Sequence, residues 1–103
     1  MIRVLAIDDL RDIPGADCVA RTAQEGIKQL QENGPWDLLY LDHDLASYDE
    51  TGKEITGYDI LCWLEQNTEF MPRKITLVSA NPVGTEKMQA AINSILRKTK
   101  DDK

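Results

Sequence analysis

Three short apolar runs, each broken off by polar residues, constrain this chain more than any other feature. The central run, Leu38 to Leu41, ends in Asp42-His43-Asp44, which encloses the only histidine of the sequence. A run of that length without helical spacing predicts a strand buried on both faces. The run from Ile2 to Ile7 stops as abruptly at Asp8-Asp9, and that from Lys74 to Val78 stops at Ser79-Ala80-Asn81-Pro82. In an open parallel sheet, ligands bind where the strands give out at their carboxyl ends. The polar residues at these three tips are therefore the first place to look for chemistry.

Helix signals fall between the runs. Thr22 followed by Glu25 is a capping box, so a helix is expected from there to Asn33, with Gly34-Pro35 as its stop. The preceding Cys18-Val19-Ala20-Arg21 is then left as a short strand, reached through a turn at Pro14-Gly15. Thr56-Gly57-Tyr58-Asp59 opens a second helix to about Asn67, with aspartate in place of glutamate in the box. Asn81-Pro82 opens a third, whose stripe is Met88, Ala91, Ile92, Ile95 and Leu96. Residues 46–56, polar and acidic, read as a loop arching over the carboxyl edge of the sheet, and 98–103 as a charged, frayed tail. This alternation predicts a single α/β domain over 1–103, a truncated flavodoxin-like parallel sheet with helices on its faces. Right-handed crossovers give the strand order 2-1-3-4.

The chain has 18 acidic and 12 basic residues, a net charge of −6, which argues against an extended nucleic-acid surface. A small phosphorylated ligand stays compatible with that charge if a divalent cation inverts the sign of an acidic site. No stretch approaches the roughly 20 apolar residues that span a bilayer. The amino-terminal residues lack the plan of a secretory signal, so cytoplasmic residence is the default expectation. Cys18 and Cys62, without metal-ligand spacing, are expected to be reduced core residues.

Asp8, Asp9, Asp42 and Asp44 should converge at neighbouring tips, where several carboxylates cannot all stay ionised without compensation. A hard cation with oxygen ligands, Mg²⁺ or Mn²⁺, would supply it; the alternative is that these acids cap turns and helix ends. Ser79, Asn81 and Gly84 lie where a strand leads straight into a helix start, which can hold a phosphate oxygen; equally, Asn81 is an ordinary N-cap. Arg11 could clamp an anion bidentately or pair with a nearby carboxylate. His43 is the one group suited to proton transfer near neutral pH. The pleat puts Asp42 and Asp44 on one side and His43 on the other, so His43 joins the acids only if the strand has already ended.

In this order the motifs resemble a receiver domain, with an acidic pair after the first strand and Asp42 at the phosphoacceptor position. They are most similar to its cyclic-phosphate-processing branch: Asp8-Asp9-x-Arg11, Leu41-Asp42-His43-Asp44-Leu45, Thr56-Gly57-Tyr58-Asp59, and Ser79-Ala80-Asn81-Pro82-Val83-Gly84 with Met88. The resemblance implies activity on a cyclic-phosphate-containing small molecule or RNA end, with Asp42 as metal ligand or nucleophile. Two departures accompany it. The fifth strand of a classical receiver, with its phosphate-binding lysine, is missing, which speaks against phosphorelay signalling. Val78 stands where the cyclic-phosphate branch usually has a histidine, so binding without turnover is the alternative to hydrolysis.

Overall fold

The computed structural model describes residues 2–78 and 81–101, with side chains to 98. In chain order the elements are β1 (Val4–Ile7), β2 (Cys18–Ala20), α1 (Ala23–Glu32), β3 (Leu38–Leu41), β4 (Ser47–Tyr48), β5 (Glu54–Ile55), α2 (Gly57–Gln66), β6 (Lys74–Leu77) and α3 (Pro82–Asp101), with a single 3₁₀ turn at Thr68–Phe70. The parallel sheet has the order β2-β1-β3-β6, the arrangement expected from the four runs once the β4–β5 hairpin is counted. It is a receiver-like, flavodoxin-like sheet.

Local chemistry sets the helix starts as the sequence predicts. Thr22 Oγ1 accepts from Glu25 N at 3.1 Å, the cap half of the expected box; the Glu25 carboxylate accepts from Arg21 N at 3.4 Å and not from the N–H of Thr22, so the reciprocal half is displaced by one residue. Asp59 Oδ2 accepts from Thr56 N at 2.8 Å, closing the second box. The hairpin is the departure: residues 46–56, expected to be a plain loop, pair antiparallel at Ser47↔Ile55 and Tyr48↔Glu54. Asp49 Oδ1 makes its turn by accepting from Thr51 N and Lys53 N, and Gly52 takes φ +85°. Buried Ser47 docks the hairpin on the start of α1, its Oγ accepting from Ala23 N at 2.9 Å. The tail expected to fray from Lys98 is instead helical through Asp101; Lys98 Nζ holds Glu65 O at 3.1 Å.

The register pairs Leu5 with Leu39 and Ile7 with Leu41, and Leu41 with Leu77. These side chains share one face of the sheet and form the core with Leu30 of α1, Leu61 of α2, and Met88 and Ile95 of α3. The helices flank the sheet as one layer, α1 against α2 and α2 against α3. Cys62, expected in that core, is exposed on α2, and Cys18 is half-buried; both are free thiols. Among the described residues, no helix is long and apolar enough to cross a membrane.

Candidate active site

The two central strand tips deliver carboxylates side by side because the ladder continues one step past the apolar residues. Ile7 pairs with Leu41; beyond them Asp8 N donates to Ala20 O at 3.1 Å and Asp42 N to Ile7 O at 3.0 Å. Asp8 is fully buried, and Asp42 is 9% exposed. Asp8 Oδ1 accepts from Leu10 N and Arg11 N at 3.0 and 2.9 Å, which turns the chain out of β1 and fixes where Arg11 begins. Carboxylate oxygens of Asp8, Asp9 and Asp42 lie within 4.8 Å of one another.

Three ionised acids at that spacing would repel one another. Burial pushes the Asp42 carboxyl above the usual range and the charge of Asp8 adds to the rise; the N–H groups of His43 and Asp44 and the Arg11 guanidinium act in the opposite direction. Asp8 Oδ2 is buried and has no hydrogen-bond partner among the described residues. An orphaned carboxylate oxygen beside two more carboxylates is an all-oxygen donor set of the kind a hard divalent cation takes.

Asp44, expected in this cluster, stands outside it. Its side chain is 61% exposed and its Oδ1 lies 2.9 Å from His43 Nδ1. β3 ends at Leu41, so the strict alternation of the pleat no longer applies at His43. The ring does not turn into the acids; it packs against the first turn of α3. A Cβ on Gly84 would come within 2.7 Å of His43 Cγ and Cδ2, so only glycine admits the ring there. Gly84 was expected to offer its N–H to a ligand, but that group donates to Asn81 Oδ1 at 3.0 Å. Asn81 O also accepts from Thr85 N at 2.9 Å. Asn81 is thus the cap of α3. Ser79, the remaining residue expected here, lies outside the described residues.

Two residues at the site carried no such role in the sequence reading. Gly57 N donates to His43 O at 2.8 Å, and a Cβ at Gly57 would stand 2.1 Å from Asp42 O and 2.8 Å from Met88 Cε. The signal was present in Thr56-Gly57-Tyr58-Asp59, but a capping box explains the threonine and the aspartate without the glycine. Arg21 was read only as the end of a strand. Its guanidinium donates to Arg11 O at 2.8 Å and to Asp12 Oδ1 at 2.6 Å, strapping the 8–17 loop to the end of β2. Because Asp12 is 93% exposed, Arg21→Ala should cost under about 1 kcal/mol of stability. It should still speed amide hydrogen exchange at Leu10 and Arg11, and unchanged exchange there would remove the strap role.

No curated protein and no solved structure matches this chain. The family model described as the cyclic-phosphate processing receiver domain matches residues 3–94, a span that takes in all four strands of the parallel sheet, the buried acids and the start of α3. On that match, and with this sheet and acid cluster beneath it, the chain belongs to the cyclic-phosphate processing receiver domain family.

Proposed function

We propose that this chain binds a cyclic-phosphate-containing small molecule or RNA end at the carboxyl edge of its sheet and opens the ring by metal-dependent hydrolysis. The observation that carries this reading is the buried, unpartnered Asp8 Oδ2 beside Asp9 and Asp42. Asp8, Asp9 and Asp42 would hold Mg²⁺ or Mn²⁺, which would neutralise charge on the phosphoryl oxygens. Arg11, anchored at its backbone by Asp8, would orient the phosphate through its guanidinium. In the hydrolysis, a water oxygen bonds to phosphorus, one ring P–O bond breaks, and the proton released by water ends on the departing hydroxyl.

A panel of cyclic nucleotides and oligonucleotides with cyclic-phosphate ends, assayed with and without Mg²⁺ or Mn²⁺, tests this. Ring opening is expected only with the cation and should fall at least about 100-fold in Asp42→Asn, as for loss of a group that acts in the transition state. A folded, cation-loaded protein that opens no member of the panel would refute hydrolysis. A second reading, a binding module without turnover, is favoured by Val78 and by the engagement of Gly84 N–H with Asn81. Calorimetric binding of a cyclic phosphate without product would establish it.

A further inference from the structure

The helices cover only one face of the parallel sheet. Side chains that alternate with the core residues, Val4, Val19, Leu38, Tyr40, Thr76 and Val78, point to the other side, and none of them joins the core. All six keep partial exposure. Ala6 at their centre is fully buried, a short side chain between its register partners Val19 and Tyr40. Parallel strands ordinarily have both faces covered. At the amino end of this face lies a concavity of about 290 Å³ lined by Ile2, Asp37, Leu38, Arg73 and Lys74, with Ile2 72% exposed.

We infer that a second copy of this chain covers this face, in a two-fold dimer whose axis runs along the strands. The argument rests on charge and register. Lys74 on the β6 edge pairs in register with Leu38, which pairs with Val4. On the β2 edge Asp17 stands at the same level, its N donating to Val4 O at 2.8 Å. A two-fold axis parallel to the strands lays the β6 edge of each copy over the β2 edge of the other. Lys74 of each copy then meets Asp17 of the other, twice, with the apolar side chains between them. Arg21 ties residues 11 and 12 of the 8–17 loop to the end of β2, while β6 is an open edge strand, so the two edges that meet differ in their cover. Four strands about 4.8 Å apart and about five residues long at ~3.3 Å each present roughly 300 Å² of projected area. That is well below the ~800 Å² per partner of a stable interface, so the dimer is transient and concentration-dependent.

Sedimentation velocity of the full chain at physiological salt, where the Debye length of about 8 Å screens the −6 charge of each copy, provides the test. The native chain is expected to move from monomer toward dimer between micromolar and millimolar concentration. Tyr40→Glu should weaken association at least about tenfold. Lys74→Glu alone and Asp17→Lys alone should each lose self-association, and mixing the two should restore it, since both contacts are then attractive. Near-UV circular dichroism checks each variant's fold; if Asp17→Lys misfolds, native chain against Tyr40→Glu decides. A monomer at every concentration overturns the dimer and leaves the face to a different protein. A dimer that survives Tyr40→Glu overturns it as well, by placing the contact elsewhere.

Discussion

Asp8→Asn is expected to make the cation-free protein more stable, by about 1–2 kcal/mol, and to abolish its response to divalent cations. The native side chain keeps a buried oxygen without a partner among the described residues, beside two other carboxylates, an arrangement that costs stability unless a cation compensates it. Asparagine retains the Oδ1 acceptor used by Leu10 N and Arg11 N and places a donor where the orphan stood. In a domain of about this size, 1 kcal/mol moves the melting temperature by about 4–8 °C. Melting curves with chelator and with Mn²⁺ therefore give opposite orders: the variant above the native chain without cation, the native chain rising by itself when Mn²⁺ is added. At a hundredfold excess over its dissociation constant, a cation bound only by the folded state adds about 2.7 kcal/mol. A variant that melts lower than the native protein and still responds to Mn²⁺ would mean the acids are structural.

The same site sets a pH dependence. Burial first, and the charge of Asp8 second, raise the Asp42 carboxyl above its ordinary value of 3.8. A raised acid contributes stability that is fully present below its unfolded value and is lost as pH rises through the folded one. Without cation, stability should fall over that interval. With Mn²⁺ the trend should reverse, because ligation requires the deprotonated carboxylate.

Gly57→Ala should be the most damaging single-methyl change in the molecule, destabilising it by about 3 kcal/mol or more. In an exposed helix the same change gains up to about 1 kcal/mol. Here the new Cβ would lie 2.1 Å from Asp42 O, and that oxygen belongs to backbone, which cannot rotate away as a side chain can. Overpacking of a rigid site costs ~1–3 kcal/mol or more, and the shift it forces acts on Asp42 itself. Urea unfolding should show the loss, and Mn²⁺ should restore little of it. Native-like stability with an intact cation response would show that α2 can draw back without disturbing the acids.

Much of this was readable before any coordinates. Alternating apolar runs and caps specify where strands and helices begin, because both depend on neighbours within four residues; Thr56 with Asp59 closes its box as read, and Thr22 caps α1 as read although Glu25 turns back to Arg21. The convergence of Asp8, Asp9 and Asp42 was also legible, since a parallel sheet carries equivalent residues to one edge. The hairpin at residues 46–56 escaped notice because two-residue strands carry no periodicity. The place of Asp44 outside the cluster and the need for glycine at 57 were not legible, because both depend on how the chain bends once β3 has ended; at Gly84 it is the N-cap alternative for Asn81 that the structure shows.

By itself, then, the order of residues determined the sheet, its direction and the acid cluster, all of which follow from local patterning and the handedness of crossovers. Only the tertiary structure decided that His43 packs on α3, that Gly57 must lack a side chain, and that one face of the sheet takes no part in the helix-packed core. Those are matters of contact between segments far apart in the chain, and no pattern of neighbours encodes them.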